Sequence, residues 1–177
     1  MTLMKMNKRL ISITFFAVAT TMFMVACGGK DQGAKVSEPS STPDVVEKLI
    51  ADRSIVVTAN DQMKFNISEI KVKPGEVLSI TLMNSGTMPK FSMGHNFVVL
   101  QKGTDTQKFC EAGMTQAVSE YIPAEFKSSI IAATKLLGGG ESDTIIFRMP
   151  SASGKYPFVC SFPGHYQIGM RGNIIVQ

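Results

Sequence analysis

The chain of 177 residues predicts an all-β domain, a sandwich or barrel, behind an N-terminal export segment. Three observations point there. From Arg53 onward the apolar residues recur with period two or in short runs, the spacing of strands with at least one buried face. Turn-forming residues separate the runs: Pro74-Gly75, Asn84-Ser85-Gly86 and Gly138-Gly139-Gly140. Helical periodicity is confined to one interlude, about Thr115 to Phe126, and Pro123 interrupts it.

Taken in order, residues 1–26 read as a signal peptide. Lys5, Lys8 and Arg9 precede an apolar run from Leu10 to Ala26 that ends in small residues. Met24-Val25-Ala26-Cys27 resembles a bacterial lipobox, with methionine where leucine is usual; in that reading Cys27 is acylated and becomes the mature N-terminus. The competing reading is a transmembrane anchor, because about 17 apolar residues is the lower limit for a span. Residues 27–52 then form a lipid-anchored tether. Gly28 to Asp44 is small, polar and aperiodic, as in a flexible linker, and Thr42-Pro43 offers an N-cap and first helical position for a short helix with Val45, Val46, Leu49 and Ile50 on one stripe.

The domain proper is expected over 53–177. Its strands are read at Ser54 to Ala59, Glu69 to Val72, Val77 to Asn84, Asn96 to Gln101, Asp143 to Met149, Tyr156 to Cys160 and Asn173 to Gln177. The sequence contains no internal repeat.

The formal charge of +4 does not point to nucleic acid. Three basic residues leave with the signal, so fifteen Lys and Arg face fourteen Asp and Glu, a net of +1, and no basic stripe is concentrated in the rest. With Cys27 lipidated, Cys110 and Cys160 are the remaining thiols in a compartment that permits disulfides, and a pair between them is one reading of Cys160. Cys110 reads as a buried, unpaired thiol in preference to a reactive one.

A second reading of Cys160 comes from the stretch VCSFPGHYQIGMRG, Val159 to Gly172, which holds Cys160, His165 and Met170 in the spacing C-x4-H-x4-M. Thiolate and thioether are soft donors and imidazole is intermediate, a set suited to copper in both Cu(I) and Cu(II) and poorly suited to magnesium or calcium. A blue-copper site needs a second imidazole, and the chain has one other histidine, His95, in MGHNFVVL. Gly94 lets the backbone approach closely there, just before a strand. A hydrolytic Cys160-His165 pair lacks any loop residue placed to orient the imidazole or to bind an oxyanion.

NDQMKF (Asn60 to Phe65), MPK (Met88 to Lys90), MGHNF (Met93 to Phe97), TKLLGGGESD (Thr134 to Asp143) and FVCSFPGHYQIGMRG (Phe158 to Gly172) together resemble azurin and its lipid-linked relatives, the auracyanins. The resemblance runs from about Ile55 to Gln177 and implies a Greek-key cupredoxin β-sandwich or barrel with one short helical insertion. It implies one type 1 copper, with His95, Cys160 and His165 as trigonal ligands, Met170 as weak axial ligand and the Gly94 carbonyl as a further donor on the opposite side. It further implies that Asn96 hydrogen-bonds across the two ligand loops towards Ser161, that Phe162-Pro163 forms the turn fixing the ligand loop, and that Phe162, Pro163 and Met93 make an apolar docking patch around His165. Three features depart from typical azurins: four residues separate His165 from Met170 where azurins have three, Arg53 and Gly75 stand near the positions of the N-terminal disulfide, and Asn84 stands where azurins often carry histidine.

The function so implied is that of a one-electron carrier at the bacterial periplasm or cell surface, held at the membrane by Cys27. Its partners would be redox proteins or membrane respiratory or photosynthetic complexes, and no nucleic acid. The alternative is a periplasmic copper-binding protein for resistance or delivery, although no histidine is left to build an open exchange site once the ligands are assigned. An oxidase or reductase would need a further, histidine-rich substrate-binding metal centre, so no enzyme activity is expected.

Overall fold

The computed structural model describes residues 49–177. The lipobox with Cys27, the tether and most of the expected short helix after Pro43 lie outside that range. Leu49 and Ile50, its last apolar positions, are within it and are irregular.

Nine strands are present among the described residues: β1 (Arg53–Asn60), β2 (Lys64–Phe65), β3 (Glu69–Val72), β4 (Val77–Asn84), β5 (Val98–Leu100), β6 (Ile130–Ala133), β7 (Ser142–Arg148), β8 (Gly154–Val159) and β9 (Arg171–Val176). They form two sheets, β2-β1-β4-β7 and β3-β9-β8-β5-β6. Each sheet is mixed: β1 runs parallel to β4 and β3 parallel to β9, while the other pairs are antiparallel. The all-β sandwich is therefore present. Leu78, Ile80 and Leu82 on β4 alternate inwards, with Val57 and Ala59 on β1, and meet Val99, Phe158, Ile174 and Val176 of the facing sheet in one core. Phe97 and Phe158 stack at 4.6 Å between ring centroids, and Phe65 meets both edge-on.

The second sheet is buried on both faces at β5. Val98 and Leu100, which point away from the main core, join Phe109, Cys110 and Val159 in a smaller cluster. This is why VVL reads in the sequence as a continuous apolar run without alternation. The cover is a helix, α2 (Thr106–Gly113), which follows a short helix α1 (Lys90–Met93). Asp105 caps α2 by accepting from the Lys108 amide at 3.1 Å, and Phe109, Cys110 and Gly113 form its buried face.

The helical insertion thus sits upstream of the expected Thr115 to Phe126. That stretch is broken into short 3-10 turns at Ala117–Ser119 and Ala124–Ser129, because Glu120 and Tyr121 both take left-handed backbone angles and Pro123 follows.

What places the functional end of the molecule is the β5-β8 register. Val98 lies opposite Val159 and Val99 opposite Phe158. One step further along this antiparallel ladder Phe97 faces Cys160, and the next step brings Asn96 to Ser161.

Candidate metal centre

Backbone hydrogen bonds hold the segments that carry the sequence-identified side chains. His95 enters through an isolated bridge to Leu137, donating to its carbonyl at 3.0 Å and accepting from its amide at 2.8 Å. Gly94 is required by a close approach: a Cβ there would lie 2.6 Å from the Lys90 carbonyl and 2.9 Å from the Leu136 side chain. The second loop closes on itself. The Cys160 amide donates to the Met170 carbonyl at 3.0 Å and the Met170 amide to the His165 carbonyl at 3.0 Å, while Gly164 and Gly169 supply the left-handed turns between them.

These two segments bring His95, Cys160 and His165 together. The Cys160 sulfur lies 3.5 Å from His165 Nδ1 and 4.0 Å from His95 Nδ1, and the three donors all fall within 4.8 Å of one another. His95, Cys160 and Met170 are fully buried, and His165 is 2% exposed. Met170 packs in the same core cluster as Cys160. The remaining nitrogen of His95, Nε2, is buried with no hydrogen-bond partner.

Burial governs the protonation of the cluster. It pushes the Cys160 thiol up to about 12, against the opposing effect of the Asn96 and Phe162 backbones. It brings His165 down to about 4, with the neighbouring His95 adding to the effect, and lowers His95 as well. Near neutral pH the protein groups alone are uncharged, so a cation that enters must displace the thiol proton and in return relieves the desolvation of the thiolate. Donor separations of 3.5 and 4.0 Å are those a first-row transition metal spans with bonds of about 2.0 to 2.3 Å. Two imidazoles, one thiolate and a thioether form a borderline-to-soft set that fits copper.

Around these donors, Asn96 ties one loop to the other. Its Oδ1 accepts from the Ser161 amide at 2.8 Å, and its Nδ2 donates to Ser161 Oγ at 2.8 Å and to the Glu120 carbonyl at 3.2 Å. Phe162 lies 4.7 Å from His165 and 5.1 Å from Tyr121, ring to ring. Of the three residues expected to form a docking patch, Phe162 is only 8% exposed and belongs to the core, packed against His165, whereas Pro163 and Met93 are half-buried. Large apolar side chains exposed on the connecting segments include Met88, Phe91, Met114, Val118 and Ile168.

Cys110 and Cys160 are both free, which removes the disulfide reading. Asn84 is buried; it donates to the Leu137 carbonyl at 3.2 Å and accepts from the Gly86 amide at 2.9 Å, so it braces the segment that pairs with His95. Sequence reasoning missed Leu137, and also Thr134, whose hydroxyl accepts from the Phe97 amide at 2.9 Å. Backbone partners of this kind leave no composition signal.

The profile of copper binding proteins of the plastocyanin/azurin family matches residues 51–177. The chain belongs to this family. It is 35% identical over 130 residues to an azurin of Pseudomonas fluorescens biotype C, covering 72% of this chain and 100% of the relative. It is 38% identical over 120 residues to outer membrane protein H.8 of Neisseria gonorrhoeae, covering 67% of this chain and 64% of that protein. Among solved structures, dithionite-reduced auracyanin from the photosynthetic bacterium Roseiflexus castenholzii superposes with a TM-score of 0.63 at 33% identity, over 72% of this chain and 98% of that one. The cupredoxin reading of the fold and the assignment of one type 1 copper as cofactor are in accord with this membership.

Removing the side chain of Asn96 leaves the buried Ser161 amide and the Glu120 carbonyl without partners. Asn96→Ala is expected to lower the stability of the copper-free protein by about 2 to 4 kcal/mol. Denaturant titration checks this, and a change below about 0.5 kcal/mol would show that the bridge between the loops contributes no net stability.

Proposed function

We propose that this protein is a one-electron carrier in which His95, Cys160 and His165 ligate copper and Met170 stands as the weak axial donor. The observation that carries the reading is the convergence of two imidazole Nδ1 atoms on one buried cysteine sulfur, at 3.5 and 4.0 Å, in a chain of the plastocyanin/azurin family. Bound copper supplies a Cu(I)/Cu(II) couple. The residues supply the rest: the Leu137 bridge, the Asn96 link and the self-closed loop hold the donors in one arrangement, so little has to move when the charge changes. The buried shell excludes water and, with a thioether as axial donor, favours the lower charge state. The solved auracyanin relative was examined in a dithionite-reduced form, in keeping with a redox role for this architecture.

Burial of all four proposed ligands weighs against the alternative of an open exchange site for copper delivery. The Gly94 carbonyl lies on the backbone directly before His95 and is the proposed fifth donor. Partners on this reading are other redox proteins or membrane complexes, approached from the end of the sandwich where His165 lies.

Anchoring through Cys27 belongs to the same proposal. The lipobox-like sequence supports it, as does the similarity to a relative named as an outer membrane protein. The 17 residues from Gly28 to Asp44, acting as a coil, reach roughly 20 to 25 Å. That distance keeps the domain near a bilayer and raises the local concentration of any membrane-bound partner.

Three outcomes are expected. The copper-loaded wild type shows intense visible absorption from the thiolate-copper bond, and Cys160→Ser abolishes it while the domain still folds; absorption that survives in the variant refutes the ligand assignment. Met170→Gln replaces a soft axial donor by a harder oxygen and lowers the reduction potential without loss of copper, so unchanged voltammetry means Met170 is not axial. Cys27→Ser behind a cleavable signal releases the protein from membranes with the visible spectrum unchanged. Wild-type protein found wholly in the soluble fraction rules out the anchor.

A further inference from the structure

Glu120 and Tyr121 are consecutive non-glycine residues in the left-handed region, with φ of 55° and 63°. Such a pair persists only where its surroundings over-determine it. Here the surroundings all lead to the metal centre. The Glu120 carboxylate accepts from the Leu136 amide at 3.0 Å, next to the residue whose backbone pairs with His95. The Glu120 carbonyl accepts from Asn96 Nδ2 at 3.2 Å. The Tyr121 ring packs on Phe162, which packs on His165, and the Tyr121 carbonyl sits so close to Gly113 that a Cβ there would come within 2.4 Å of it.

The two ends of the Asn96 amide show what this achieves. The Ser161 amide can only donate and so requires Oδ1 to face it; the Glu120 carbonyl can only accept and so requires Nδ2. A flipped amide would set oxygen against oxygen at Glu120. The orientation that binds the residue after Cys160 is thus selected from both sides. We propose that Glu120 is a positioning residue of the copper centre: from a third segment, it fixes the Asn96 amide through its carbonyl and the His95-pairing segment at Leu136 through its carboxylate. This rests on the assignment of His95 and Cys160 as ligands.

The test uses the full chain with Glu120→Gly, which is at ease at positive φ but deletes the carboxylate, and Glu120→Gln, which keeps an acceptor of the same length. In the copper-free protein, Glu120→Gly is expected to speed amide exchange at Ser161 about tenfold while the buried β4 residue Ile80 is unchanged. After copper loading, the same variant shows an altered Cu(II) hyperfine splitting and a shifted midpoint potential, and Glu120→Gln restores wild-type behaviour in all three. Faster exchange at Leu136 alone with an unmoved Ser161 and an unaltered copper spectrum overturns the proposal. So does equal acceleration at Ser161 and Ile80, which would be general destabilisation, and so does a Gln variant that behaves like Gly. The exchange measurement needs no metal: a wild-type chain that binds no copper refutes the carrier reading, whereas an unmoved Ser161 refutes this one.

Discussion

The antiparallel pairing of β5 with β8 is the constraint on which the site depends. Val98 opposite Val159 commits the chain to a register in which the segment just before β5, with His95 and Asn96, lies beside the segment just after β8, with Cys160 and Ser161. A slip of one residue would turn Phe97 and Phe158 out of the core and separate the two loops at once. The hydrophobic core and the metal centre are therefore specified by the same ladder. The stacked phenylalanine pair and the clustered imidazoles and thiol report one alignment at two depths of the sandwich.

The electrostatics follow from where that ladder ends. Because the donors lie inside the apolar shell, the protein alone favours their uncharged forms: a protonated thiol with a pKa near 12 and imidazoles that resist protonation. Against burial, the Asn60 backbone and the Asp61 carboxylate favour a charged His95, and the backbones of Asn96 and Phe162 favour a Cys160 thiolate. Such an environment prefers a cation whose charge is largely cancelled by one thiolate. That matches a centre that alternates between a formal charge of one and two.

Much of this was legible in the sequence where local pattern and tertiary outcome agree. Glu69 to Val72 and Val77 to Asn84 alternate cleanly because each has one face on the core, and both strands have the bounds read from the residues. The C-x4-H-x4-M loop was legible because its chemistry is local. Two things were hidden. The helix lies earlier in the chain than expected: Thr115 to Phe126 carries helix-compatible spacing, yet its backbone is turned aside at Glu120 and Tyr121, which have partners distant in sequence. The true helix covers β5 with only Phe109, Cys110 and Gly113, a stripe too narrow to stand out. The resemblance implies a surface-patch role for Phe162, whose packing between Tyr121 and His165 depends on a segment some forty residues away that no local pattern reveals.

The small cluster beneath α2 carries one more consequence. Cys110 is buried there with a thiol pushed up to about 12, chiefly by desolvation, so at neutral pH on the order of one molecule in 10⁵ presents its thiolate. Thiol-disulfide exchange and sulfenylation both proceed through that anion. Two free sulfhydryls, as found among the described residues, would ordinarily expose a protein to mixed disulfides and covalent dimers wherever oxidants are present. Here burial under α2 holds Cys110 in its protonated form, in a cluster separate from the one that contains Cys160, so this thiol is withheld from both reactions.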